Sequence, residues 1–276
     1  VLKHFKRFYR GYVYKIKIRG FPDEITFTPE HPILVVKRKP TQTGFKRYLG
    51  LEEGFKKVEP EWVSAEELYK RYKKVENLSK KGRKITDLVL IPKIKMKVKD
   101  NGLTKEELYF LGYYLAEGYL RKHGDKVHGV CVVSSNLKKL EELAEIMKDY
   151  NPKIYSDRNK YVLVIHNTKL GQKFKEWFGD GAGNKKIPKF VFTLPIEKKM
   201  SFLKGYLDGD GFNDKNCWKA VFTKSRQLVY DIFFLLLGMG IYPFIWYREE
   251  EREYRGYKWV SKGWKIYIPN KKRKQQ

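Results

Sequence analysis

Two acidic residues, Glu117 and Asp210, sit in matching surroundings. One closes the segment Phe110-Leu-Gly-Tyr-Tyr-Leu-Ala-Glu-Gly118, the other Leu203-Lys-Gly-Tyr-Leu-Asp-Gly-Asp-Gly211. Each segment has small residues four apart, Gly112 with Ala116 and Gly205 with Gly209. That spacing puts each pair on one helix face, where small side chains let two backbones approach closely. Gly118 and Gly211 suit the left-handed position just past a helix C-terminus. A carboxylate at that end opposes the helix dipole, and two brought together repel each other. A divalent cation relieves both costs. Mg2+ or Mn2+ takes one or two carboxylates and fills its other positions with water and phosphate oxygens. The pattern therefore points to metal-assisted phosphodiester hydrolysis, with Glu117 and Asp210 as metal ligands and catalytic groups. Ordinary exposed helix ends would account for one such segment, but poorly for two matched ones.

The charge agrees with a phosphate-bearing partner. The 276 residues hold 59 Lys+Arg against 32 Asp+Glu, a formal net charge of +27. A thermophilic surface explains many charges of both signs, but not this imbalance. Nucleic acid does, because neutralising phosphates releases counterions. Residues 1–100 carry 26 Lys+Arg and 12 Asp+Glu, and the remainder 33 and 20, so the first hundred are the denser in positive charge. At 42% hydrophobic and 16% aromatic the chain can build a core, which excludes wholesale disorder. No long apolar run suggests a membrane span, and the first residues lack a signal-peptide core. Two cysteines, Cys131 and Cys217, neither staple the fold nor make a zinc site, and His123, His128 and His166 lack metal spacing. These features fit the reducing cytoplasm of an archaeal or other prokaryotic host, and the Lys, Glu and Tyr richness fits a thermophile.

Elements must then position the acids. Thr104, with Glu107 three residues on, opens a helix that runs to Gly118. A strand is expected at 127–134, a helix at 137–150, strands near 153–156 and 161–166, and a helix at 168–178. A helix at 195–210 follows, then a strand at 218–223, a helix at 226–238 and strands near 242–248 and 254–268. Helix, strands, helix, strands thus occurs twice, which reads as an internal duplication. The first hundred residues are mostly β, with strands near 11–18, 25–28, 33–38 and 86–92. A helix is expected at 62–74, with Ser64 and Glu67 forming a capping box, and a charged loop at 76–84.

The two acidic segments resemble the paired motifs of single-chain LAGLIDADG homing endonucleases. The resemblance spans about 100–270. It implies an α+β fold in which an αββαββα unit is used twice with pseudo-two-fold symmetry, in a monomer that is an internal pseudo-dimer. It implies repeats at 99–192 and 193–276, and a saddle of two antiparallel sheets on double-stranded DNA. The last acid of each motif, Glu117 and Asp210, would bind metal and activate water. Glu117 departs from the usual Asp. Leu115 stands where Asp208 stands in the second motif, which makes Asp208 structural. The family adds a basic or polar residue at a strand end near the metals. Lys224 offers this in the second repeat and Ser135 stands in its place in the first, so the two strand cuts need not be equivalent. Aromatic and cationic residues on the sheets are candidate DNA contacts. They are Tyr155, Arg158, Lys160 and Tyr161 in the first repeat, and Trp246, Arg248, Arg255, Tyr257, Lys258, Lys262 and Lys265 in the second. The basic tail from Asn270 to Lys274 is a further phosphate contact.

Residues 1–98 resemble the N-terminal part of an intein's Hint splicing domain, on the strength of Thr28 and His31 at a strand start. The resemblance implies that these two once polarised a scissile peptide. Val1 is not a splicing nucleophile, and the C-terminal residues lack the required Asn after His. His166-Asn167 imitates that junction, but within the first repeat. The expected function is a site-specific DNA endonuclease. The alternatives are a non-cleaving DNA- or RNA-binding derivative, such as a maturase or regulator, and a splicing element.

Overall fold

The computed structural model describes residues 6, 8–18, 20–36, 60–78, 88–89, 97–214, 217–254 and 256–269. They fall into two compact units. One holds the described residues up to Ile18 and from Asp23 to Val89, the other Gly20–Pro22 and the described residues from Lys97 onward.

In the first unit, β1 (Tyr14–Lys17) and β2 (Glu24–Phe27) form an antiparallel hairpin. β3 (Pro32–Val36) pairs on one side with β4 (Glu61–Ser64) and on the other with β5 (Leu88–Val89). Helix α1 (Ala65–Leu78) follows β4 directly. Ile33, Val35, Val63 and Ala65 form its small core, with Tyr14, Ile16, Phe27 and Leu68 packed around them. Ser64 accepts the Glu67 N–H at 3.1 Å, as the capping box requires. Trp62 and Val63 are strand rather than helix, because they pair with Leu34 and Ile33 of β3. The helix also continues through Glu76 to Leu78, since nothing in that stretch breaks it. The expected strand ends near 37–38 and 90–92, and the loop beyond Leu78, lie outside the described residues.

The second unit shows the duplication. The first repeat runs α2 (Lys105–Glu117), β6 (Gly118–His123), β7 (Lys126–Ser134), α3 (Leu137–Ile146), β8 (Lys153–Asp157), β9 (Lys160–Ile165) and α4 (Thr168–Phe178). The second runs α5 (Ile196–Asp210), β10 (Phe212–Asp214), β11 (Cys217–Thr223), α6 (Arg226–Gly238), β12 (Phe244–Tyr254) and β13 (Tyr257–Ile268). The sheet orders are β6-β7-β9-β8 and β10-β11-β13-β12, the same topology twice. Among the described residues the second copy ends at its fourth strand, without a closing helix.

Caps fix the helix starts. Thr104 and Glu107 form a reciprocal capping box at α2. Asn136, Asn167 and Ser225 cap α3, α4 and α6 through side-chain oxygens. Asn167 accepts the Leu170 N–H at 2.9 Å, so the imitation splice junction is a helix cap. Some expectations need correction. The helix from Leu137 stops at Ile146, and a 3-10 turn, Lys148–Tyr150, leads to Asn151 in the left-handed region. β6 and β10 follow the two motif helices without a loop, their short polar sequences masking strands that only sheet pairing reveals. β12 extends to Tyr254, because its acidic stretch pairs residue by residue with β13. Gly118 and Gly211 are extended rather than left-handed, with φ −90° and −79°. Glycine is needed there for space. A β-carbon would fall well under 3.0 Å from the Tyr114 and Leu207 carbonyl oxygens where helix turns abruptly into strand.

Candidate active site

Helices α2 and α5 lie side by side with their C-terminal ends together. A β-carbon on Gly112 would meet the Phe202 carbonyl oxygen, and one on Gly205 the Tyr109 carbonyl oxygen, each well under 3.0 Å. These two contacts exchange under a shift of 93 residues, as a two-fold axis demands. On the axis itself Gly209 meets Ala116. A residue with a β-carbon at any of the three glycines would force the backbones apart.

This packing delivers Glu117 and Asp210 to the same end of the helix pair. Burial raises the Asp210 carboxyl to about 6, Lys185 opposes the rise and Glu117 adds to it. Burial likewise raises Glu117, against the pull of Lys185 and Lys160. Lys185 is the cation whose charge reaches both acids. Its ammonium donates to the Ala116 carbonyl at 2.6 Å, and burial lowers its pKa against the pull of Asp210 and Glu117. Sequence reasoning missed this residue. The signal available was a Lys-Lys-Ile-Pro run after a glycine-rich turn, just before the second motif helix. Lys224 follows β11 and is exposed. Ser135 is likewise exposed at the matching place after β7.

Strand alternation sorts the candidate DNA contacts. In the first sheet Val130, Val132, Leu163 and Ile165 are fully buried on the helix-covered face. The register puts Tyr161 on that same face, opposite Ser134, and puts Lys160 and Tyr155 on the other. In the second sheet Ile245 and Ile266 mark the helix-covered face. Trp246, Arg248, Tyr257 and Lys265 point away from it, whereas Lys258 and Lys262 share it. Lys265 lies over the rings of Phe212 and Tyr267 at 4.9 and 4.7 Å. Lys262 pairs with Glu249 at 3.1 Å, Lys258 with Glu253 at 3.6 Å and Arg248 with Glu250 at 3.3 Å. Such exposed pairs contribute little. Arg158 sits in the β8–β9 turn with φ 55°. Arg255 and the basic tail lie outside the described residues.

Asp208 accepts the Tyr109 hydroxyl at 2.7 Å and ties the motif helices together. In the first unit Thr28 and His31 form the turn between β2 and β3. The His31 N–H donates to the Thr28 carbonyl at 3.1 Å, its ring lies 4.8 Å from that of Phe27, and its carbonyl receives the Ala65 N–H at 3.0 Å.

The donor set suits a hydrated divalent cation. Two carboxylates that burial disfavours as anions gain from a cation, and Mg2+ or Mn2+ needs no more than two. Among the described residues no cluster of three or more His, Cys, Asp or Glu competes for it. The buried Tyr206 hydroxyl, one turn before Asp210, has no hydrogen-bond partner among the described residues.

The first repeat matches the family model described as LAGLIDADG-like domain, over residues 104–179. Among curated proteins, a DNA polymerase of Thermococcus kodakarensis is 34% identical over 136 residues, which are 48% of this chain and 8% of the polymerase. The chain thus spans less than a tenth of the length of that relative. An uncharacterized protein of Methanocaldococcus jannaschii is 26% identical over 247 residues, 76% of this chain and 30% of that protein. Among solved structures, variants of the homing endonuclease I-DmoI align with a TM-score of 0.43 and 16% identity, covering 62% of this chain and 90% of theirs. No helix among the described residues is long and apolar enough to cross a membrane.

Proposed function

We propose that the chain is a site-specific homing endonuclease that hydrolyses phosphodiester bonds of double-stranded DNA with Mg2+ or Mn2+. The observation that supports this most directly is the pair of half-buried acids, one from each copy of the repeated unit, with the charge of Lys185 acting on both. A protein that only binds gains nothing from burying two carboxylates beside each other, which disfavours the maturase or regulator reading. Glu117 and Asp210 would hold the metal, which supplies an activated water and neutralises charge on the phosphate. Lys185 is a preorganised cation for the negative charge that grows on the phosphate oxygens. The outward sheet faces, with Lys160, Tyr155, Trp246, Arg248 and Lys265, grip the duplex while the net charge of +27 supplies affinity.

Incubation with a randomised duplex library tests this reading. Discrete cuts are expected with Mg2+, none with EDTA, and none with Asp210→Asn, which should still retain DNA. Undiminished cutting by Asp210→Asn would refute the site. Retention of specific duplexes by the unaltered chain, with no cut in any divalent metal, would favour the non-cleaving reading.

A further inference from the structure

Lys185 belongs to neither motif helix, nor to any strand. It lies just past a 3-10 turn, Ala182–Asn184, on the connection between the two repeats. Such a residue needs something to aim it, and helix α6 supplies two holds on its backbone. The Ser225 hydroxyl donates to the Lys185 carbonyl at 2.6 Å while accepting the Leu228 N–H at 3.1 Å, so one side chain caps α6 and grips the connection. Two residues further on, the Ile187 N–H donates to Asp231 Oδ2 at 2.8 Å. Asp231 Oδ1 receives the Gln227 amide at 2.8 Å, so both carboxylate oxygens are engaged. Ser225 is fully buried and Asp231 nearly so. A third bond, from the Lys186 N–H to the Phe178 carbonyl at 3.1 Å, ties the same stretch to α4.

An acid buried in α6 has a cost in desolvation that an apolar residue would avoid. Its two bonds explain why a carboxylate stands there. We propose that Asp231 and Ser225 are positioning residues that hold Lys185–Ile187 so that the Lys185 ammonium reaches the axis between Glu117 and Asp210. The device is one-sided. Helix α6 of the second repeat sets the geometry of the cation that serves both acids. This rests on the reading of Lys185 as the active-site cation.

The test is single-turnover cleavage alongside DNA affinity, in the unaltered chain and in a Lys185→Ala background. Asp231→Ala leaves the Ile187 N–H without an acceptor. It should slow cleavage about 10- to 100-fold with affinity unchanged, because small misplacements of a catalytic group cost rates of this order. Asp231→Asn can keep both bonds if the Gln227 amide turns over, so it should restore most of the rate. In the Lys185→Ala background Asp231→Ala should cost no more than about 2-fold, since its effect passes through the lysine. If Asp231→Ala does not fold, Ser225→Ala, which loses one hold and a helix cap, should show the same dependence on Lys185. Full activity in Asp231→Ala, or an equal loss in both backgrounds, overturns the proposal while leaving the site intact. Full activity in Lys185→Ala removes the reading beneath it as well.

Discussion

Gly209 and Ala116 face each other across the axis so closely that a β-carbon on Gly209 would overlap that of Ala116. The acids that follow them are therefore held at a separation set by backbone contact, and the same contact recurs twice further along the helices. Gly112→Ala or Gly205→Ala places a methyl against a carbonyl of the partner helix, which cannot retreat without parting the axis. Each should lower stability by about 1–3 kcal/mol, even though alanine favours helix by about 1 kcal/mol. Gly238→Ala, in α6 with open space around it, should be neutral or slightly stabilising. Urea titrations of the three variants check this. Equal effects at all three positions would mean that the axis does not depend on close approach.

Asp210 makes a prediction about pH. Its carboxyl is raised to about 6, chiefly by burial, from an ordinary value near 4. The folded state then holds a proton that the unfolded state has released, and stability falls as pH rises between those values. The penalty is complete above about pH 6. Asp210→Asn should accordingly stabilise the metal-free protein at pH 7 by up to about 3 kcal/mol (about two pH units at about 1.4 kcal/mol each), and much less at pH 4. Divalent metal should reverse the order, stabilising the unaltered chain and not the variant. Cutting should fade as pH drops through about 6, because a protonated carboxyl releases the cation. Thermal unfolding at pH 4 and 7, with and without Mg2+, decides it. An Asp210→Asn variant no more stable at pH 7 than the parent would show that burial of this acid carries no cost.

What the sequence disclosed and what it hid have physical reasons. The helices at Thr168–Phe178 and Arg226–Gly238 were legible from runs with a buried face, and the structure adds their caps, Asn167 and Ser225. The axis was legible because only small residues four apart permit its backbone contacts. Lys185 was not, since the stretch it begins is bonded to residues remote in sequence, Ser225 lying 40 residues from Lys185 and Asp231 lying 44 residues from Ile187. Strand β6, Gly-Tyr-Leu-Arg-Lys-His, reads as polar because only Leu120 in it is buried. The left-handed glycine expected after each motif helix was the wrong inference from a sound observation. Glycine is required there, but for lack of room beside the preceding turn.

The second sheet separates cations that composition alone treats as equal. Lys265 shares a face with Trp246 and Arg248, while Lys258 and Lys262 lie on the opposite face beside Glu253 and Glu249. If the outward face takes the duplex, Lys265→Ala should weaken DNA binding and reduce the slope of log K against log salt by about one. Lys258→Ala and Lys262→Ala should leave both quantities nearly unchanged, apart from a small effect of net charge. Fluorescence titrations at several salt concentrations measure this. Equal slopes for all three variants would mean that the ribbon does not engage DNA through one face.

Lys160 and Gly263 occupy equivalent places in the two sheets. The correspondence follows from register: Tyr161 opposes Ser134, Trp264 opposes Thr223, and Ser134 and Thr223 each accept the N–H of the residue that caps the next helix. The charge of Lys160 lowers the pKa of Glu117, and no cation stands at Gly263 to do the same for Asp210. The two acids thus share Lys185 but differ in this second cation, so under the proposed function the two strands of a duplex would meet unequal chemistry. Lys160→Ala should therefore slow one cut more than the other, by about 10-fold, and nicked circles should build up from a supercoiled substrate before linear product appears. Strand-specific end labels on a single duplex site resolve the two rates, and a Lys160→Ala variant that slows both strands equally would rule out the asymmetry.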